Sequence, residues 1–253
     1  MMNINYYKEY SHCLNRDMEF KVYGHAGKPC IFFPCQDGRF FDFENFQMVD
    51  YWADYIEAGK VQVFSVDTID AETWSAKDRN PHDRIWLHEQ WFHYITDELA
   101  PRIFEINSWG NGGMTASGIM TFGCSMGAMH SANFFLRRPD LFDMNLSLSG
   151  CYSSRDSFGD YMEPLIYDNS PVDFLRNMPA DHPYIQMYNE RKMVFCVGQG
   201  AWEDVLKEST RELDTVMAEK GIHAWFDYWG FDVDHHWYWW FKQVRHFLPY
   251  FLD

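Results

Sequence analysis

Ser125 stands between two glycines in Gly123-Cys124-Ser125-Met126-Gly127, a G-x-S-x-G pattern. An apolar run at 118–122 leads into it. A helical pattern through Ala128, Ala132 and Phe135 leads out and stops at Arg138 and Pro139. A strand that turns at once into a helix bends tightly, and glycines at 123 and 127 remove side chains that would collide in the bend. A serine so placed sits in a strained backbone facing a ligand, and the free N–H groups at the start of the next helix favour negative charge beside it. The chemistry this permits is nucleophilic attack, provided a base takes the hydroxyl proton and a carboxylate orients the base. A serine that only caps the helix is the alternative.

Of the eleven histidines, six follow Ser125. His130 lies on the helix after the serine, His182 precedes Pro183 in an irregular stretch, His223 opens a strand pattern, and His246 sits in a C-terminal helical pattern. Each of these has an ordinary structural role. His235 and its rival His236 follow the last strand pattern, in FDVDHHWYWW, where a base would reach the serine; His235 is preferred. The acid is expected after the preceding strand, in GQGAWED, as Glu203 or Asp204; either would also suit a helix N-terminus. A metal site built from Asp232, Asp234, His235 and His236 is disfavoured, because contiguous residues rarely converge on one ion. An oxyanion needs two backbone donors. One is expected from the N–H of Met126, the other from the loop 34–39, with Arg39 or a neighbour as donor, unless that loop is a plain Asp-Gly turn. Trp202, Tyr152 and Trp237, with Phe158, Tyr161 and Tyr167, are candidates for an aromatic pocket and equally for the core.

These residues need elements that bring them together. Strand patterns fall at 18–23, 30–33, 61–66, 118–122, 144–149, 193–197 and 224–229, several of them continuous apolar runs, as in a sheet covered on both faces. Helical spacing joins Phe46, Val49, Ala53 and Ile56 up to Gly59. It also joins Ile85, Phe92, Ile95 and Leu99 before Pro101, and Leu206, Leu213, Val216 and Met217 up to Gly221. Strand and helix in alternation imply an α/β architecture with a predominantly parallel central sheet flanked by helices. The turn 24–27 lacks the Gly-Lys-Ser/Thr ending and following helix of a phosphate loop. Two stretches break the alternation. The Gly-rich 107–118 is expected to be a mobile connector. The stretch 151–190, interrupted by Pro164, Pro171, Pro179 and Pro183, is expected to be a small insertion over the site, within one domain spanning 1–253.

Composition narrows the partners. With 21 Lys+Arg against 37 Asp+Glu, the net charge of −16 argues against nucleic acid and against an anionic membrane surface. No basic cap precedes an apolar run at the N-terminus, and no stretch of about eighteen apolar residues occurs, so a cytoplasmic protein is expected. Six cysteines without CxxC spacing read as reduced thiols. Aromatic residues make up 19% of the chain, enough to fill a core and line a pocket.

From about residue 17 to residue 252 the chain resembles the esterase D-like branch of the α/β-hydrolases, a group that includes S-formylglutathione hydrolases, feruloyl esterases and bacterial mycolyltransferases. The segments GRFFDFENF, FGCSMGAMHSANFFLRRPDLF, GQGAWED and DVDHHWYWW carry the resemblance. It implies an α/β-hydrolase fold, a triad of Ser125, Glu203 and His235, and a second oxyanion donor near Arg39. It also implies hydrolysis of a small-molecule ester through an acyl-enzyme, with no metal or organic cofactor. The clustered aromatics add an expectation of an apolar or aromatic acyl group. An acyltransferase with the same triad, a catalytically idle fold that binds, and a homo-oligomer all remain open.

Overall fold

Runs of Val, Ile, Phe and Cys without polar alternation form the central strands here because helices cover both faces of the sheet. The structure, a computed structural model, describes residues 2–253. The strands are β1 (Ile4–Ser11), β2 (Arg16–Tyr23), β3 (Lys28–Phe33), β4 (Val61–Val66), β5 (Ile119–Cys124), β6 (Phe142–Leu148), β7 (Lys192–Val197) and β8 (Trp225–Tyr228). They form one sheet in the order β1-β2-β4-β3-β5-β6-β7-β8. The pairs β1/β2 and β2/β4 are antiparallel and the other five are parallel. This is the α/β-hydrolase fold expected from the sequence.

The helices are α1 (Asp42–Asn45), α2 (Met48–Glu57), α3 (Pro81–His93), α4 (Ala100–Gly110), α5 (Met126–Arg137), α6 (Arg155–Phe158), α7 (Pro164–Asp168), α8 (Pro171–Asn177), α9 (Pro183–Asn189), α10 (Asp204–Glu219) and α11 (Trp237–Leu252). Alternate residues of each strand serve opposite faces. Ile31, Phe33 and Phe64 pack with Trp91 of α3, Ile103 of α4, Phe134 of α5 and Val216 of α10. Cys30, Phe32 and Phe122 pack with Trp52 of α2 and with Val244 and Phe247 of α11. Each fully buried large side chain contributes about 1.5–3 kcal/mol. Among the described residues no helix is long and apolar enough to cross a membrane.

Four local outcomes differ from the sequence patterns. β1 carries no apolar alternation, since it is an edge strand and Ile4, Tyr6 and Tyr10 are exposed. The strands flanking the turn 24–27 are not neighbours, because β4 lies between them. Pro101 does not end a helix. Residues 94–99 wind as a π-helix, and α4 follows with Pro101 in its first turn. A π turn bonds to i−5, which accommodates a proline that lacks an N–H and crowds the i−4 carbonyl. The stretch 107–118 begins as anchored helix, not as a connector: Asn107 is fully buried and its amide donates to Gly27 O (2.9 Å) and Gln62 Oε1 (3.0 Å).

Candidate active site

The site forms at the carboxyl ends of the strands, where open parallel sheets bind ligands. Ser125 follows β5 with φ 57° and ψ −127°, a strained conformation for a residue with a side chain. The glycines on either side make the bend possible. A Cβ on Gly123 would lie 2.2 Å from the Gly127 carbonyl, and one on Gly127 would lie 2.1 Å from Phe33 O at the end of β3. Gly127→Ala is therefore expected to lower stability by about 3 kcal/mol, seen as a lower urea midpoint at unchanged slope. A loss below about 1 kcal/mol would mean that β3 and α5 can separate without cost.

His235 and Glu203 arrive from two loops that are laced together. After β7 and β8, Trp229 N–H donates to Val197 O (2.9 Å), Gln199 N–H to Gly230 O (3.2 Å), Gly200 N–H to Val233 O (2.8 Å) and His235 N–H to Ala201 O (3.0 Å). His235 Nδ1 lies 3.4 Å from Glu203 Oε1, and Nε2 lies 2.9 Å from Ser125 Oγ. With the carboxylate as acceptor the imidazole proton sits on Nδ1, so Nε2 accepts from the serine hydroxyl. Glu203 is 1% exposed. Its Oε1 also accepts from Ser149 Oγ (2.6 Å), while its Oε2 is buried with no partner among the described residues. Trp240 supports the acid and the histidine. Its Nε1–H donates to Ser149 Oγ (3.1 Å), and its ring meets the His235 ring edge-on at 4.8 Å.

The alternatives raised from the sequence fall outside this chain. Asp204 is exposed and pairs with Lys207 (2.8 Å). His236 is exposed, and its Nδ1 accepts from Tyr238 N–H at the start of α11. His130 is a fully buried residue of α5 and pairs with Asp70 (2.9 Å). It stacks on His88, whose imidazole burial holds well below its ordinary value. Among the described residues no group of three or more His, Cys, Asp or Glu side chains converges as metal ligands would.

A cavity of about 110 Å³ opens beside Ser125. Its walls correct two expectations. Among the described residues, none of the proposed aromatic residues lines it. Tyr152 is fully buried against Phe195, Trp202 is 86% exposed and points to solvent, and Trp237 stacks on Phe46. Of the three, only Tyr152 joins the core, where its area is removed from water. The lining is Met126, Met129, Leu206 and Cys151 on the less polar side, with Gln36, Ser153, Asp156 and Ser157. Arg39 is also displaced as an oxyanion donor. Its N–H donates to Asp42 Oδ2 (3.1 Å), and its guanidinium binds Asp67 and Glu19. Gln36, three residues earlier in the same loop, shares the cavity with Ser125. The backbone N–H groups of Gln36 and Met126 donate to no protein acceptor among the described residues. Gln36 lies in the loop 34–39 singled out from the sequence, though not as its named residue; Ser149 and Trp240 had no sequence signal, because which strand end and which helix start meet beside Glu203 is not disclosed by a single serine or tryptophan.

The family model described as "Putative esterase" matches residues 11–251. The chain belongs to the esterase family. As a member of it, this esterase is a carboxylic ester hydrolase. No curated protein matches it in sequence. Among solved structures it is similar to a ferulic acid esterase, at 15% identity and TM-score 0.76, covering 100% of this chain and 98% of that one. It is also similar to an S-formylglutathione hydrolase from Agrobacterium tumefaciens, at 13% identity and TM-score 0.73, covering 99% and 96%. A third is a fluorophosphonate-binding serine hydrolase of Staphylococcus aureus, at 12% identity and TM-score 0.66, covering 100% and 99%. At these identities the likeness concerns the fold.

Proposed function

We propose that this esterase works through an acyl-enzyme on Ser125, with His235 as general base and Glu203 as the orienting acid. The observation that carries this reading is the chain Ser125–His235–Glu203, assembled from three separate loops with Ser125 Oγ 2.9 Å from His235 Nε2. His235 removes the hydroxyl proton as Ser125 Oγ attacks the ester carbonyl. Glu203 stabilises the imidazolium that forms. The backbone N–H groups of Met126 and Gln36 receive the oxyanion, aided by the positive end of α5. The imidazolium then protonates the departing alcohol. Water repeats the sequence on the acyl-enzyme and releases the acid. Residues 151–190 act as the insertion that roofs this site in one domain, a reading supported by the contribution of Cys151, Ser153, Asp156 and Ser157 to the cavity wall.

A serine-directed fluorophosphonate tests the assignment. The expected outcome is one label per chain, located at Ser125 by peptide mass spectrometry, with the label blocked by a turned-over ester. Product analysis in the presence of an added alcohol is expected to return the free acid. A new ester as the main product would make the protein a transferase, and a label on any other residue removes Ser125 as nucleophile.

A further inference from the structure

Ser125 shares its backbone conformation with a neighbour. Cys124 of β5 pairs with Leu148 of β6, and Leu148 pairs with Cys196 of β7, so Ser125 and Ser149 leave adjacent strand ends side by side. Both have φ 57°, in the left-handed region that residues with a Cβ rarely adopt. Each is pinned by its own N–H, that of Ser125 to Leu148 O (2.9 Å) and that of Ser149 to Cys196 O (2.7 Å). At Ser125 this backbone presents the hydroxyl to the cavity. At Ser149 it exchanges one face of the sheet for the other. Ser147 points to α5, where its hydroxyl donates to Ala128 O, while Leu146 and Leu148 pack with Trp240 and Val244 on the opposite side. Alternation would send residue 149 toward α5 as well. The left-handed turn carries its hydroxyl to Trp240 and Glu203 instead.

With the carboxylate as acceptor, the direction of each proton there is set. The indole Nε1–H of Trp240 can only donate, so Ser149 Oγ accepts from it (3.1 Å), and the one hydroxyl proton of Ser149 is left for Glu203 Oε1 (2.6 Å). That contact is the shorter of the two at this oxygen, since His235 Nδ1 stands at 3.4 Å, and hydroxyl bonds to a carboxylate at such lengths are the stronger kind. Nothing else restrains the acid: the Glu203 side chain caps no N–H of α10, and its Oε2 has no partner among the described residues. We propose that Ser149 is a positioning residue of this esterase, its hydroxyl aimed by Trp240 so that the Glu203 carboxylate is already oriented when His235 becomes charged. The inference rests on the triad reading above and adds to it a residue that touches neither the serine nor the ester.

Steady-state kinetics with p-nitrophenyl butyrate tests this. Ser149→Ala is expected to lower kcat roughly 10- to 100-fold, the scale of a small misplacement in an aligned site. KM should stay within about twofold, because Ser149 is fully buried and outside the cavity wall. Ser149→Gly should lose as much activity although glycine accepts the left-handed backbone, so its urea midpoint is expected at or above that of Ser149→Ala; activity then follows the hydroxyl and not stability. The measurement that singles out positioning is made in the Glu203→Gln background. There, removing the hydroxyl is expected to cost no more than about threefold, since the charge it holds is already gone. Trp240→Phe keeps a ring beside His235 and loses only the donor, with an expected fall in kcat of about threefold to tenfold. Should Ser149→Ala fail to fold, Ser149→Gly and Trp240→Phe carry the same comparisons. A kcat within about twofold of wild type in the folded Ser149 variants, a loss confined to KM, or losses that multiply in the Glu203→Gln background overturns the role of Ser149 and leaves the triad intact. An undiminished kcat in Glu203→Gln alone overturns the triad reading and this proposal with it.

Discussion

Ser125→Ala and His235→Ala are each expected to lower kcat/KM for a short-chain p-nitrophenyl ester by roughly 10⁴- to 10⁶-fold, and the double variant is expected to lose no more than the worse single one. In the proposed mechanism the two side chains perform one step. Without the imidazole the hydroxyl keeps its proton, and without the hydroxyl the imidazole has nothing to activate, so their losses do not add. Under the proposed mechanism, what survives is the contribution of the backbone donors at Met126 and Gln36 and of the binding cavity. Steady-state kinetics on the three variants, with circular dichroism to show they are folded, measures this directly. Losses that multiply in the double variant would show that Ser125 and His235 act independently, and the 2.9 Å contact would then be structural only.

The second large effect separates two neighbouring carboxylates. Glu203→Gln is expected to cost roughly 10³- to 10⁴-fold in kcat, the scale set by removing the charge that holds a catalytic imidazole in its reactive tautomer. Asp204→Asn should stay within about twofold, as exposed substitutions usually do. The physical difference is environment. Glu203 is 1% exposed and shares Oε1 between Ser149 and His235, whereas Asp204 has an 81% exposed side chain that meets Lys207. A glutamine amide at 203 can turn its NH₂ toward His235 Nδ1, which pushes the ring proton onto Nε2 and blocks acceptance from the serine. Equal losses at the two positions would transfer the role of acid away from Glu203.

Much of the fold was legible because both faces of the sheet are covered. Continuous apolar strands separated by amphipathic helices leave few architectures, and G-x-S-x-G between a strand and a helix has one mechanical explanation, visible in the 2.1 Å approach that any Cβ on Gly127 would make to Phe33 O. The position of β1 was not legible, since an edge strand need not alternate. The choice between Glu203 and Asp204 depended on burial, which two adjacent acids do not reveal in a sequence. The position of Arg39 within the loop 34–39 was not legible for a similar reason: the loop after β3 was evident, but its N–H groups are allotted by a turn in which Arg39 N–H donates to Asp42 Oδ2. The aromatic residues misled most. Trp202 and Tyr152 lie close in sequence to site residues, yet one faces solvent and the other the core.

The four backbone hydrogen bonds that lace the loop after β7 to the loop after β8 make the acid and the histidine parts of a single plate. The serine belongs to another plate, formed where α5 is pressed against the end of β3. The three groups of the proposed triad are thereby carried on two bodies, which meet at the 2.9 Å contact between His235 Nε2 and Ser125 Oγ. Under the proposed mechanism, a displacement of one plate against the other is expected to change that distance first, and activity with it.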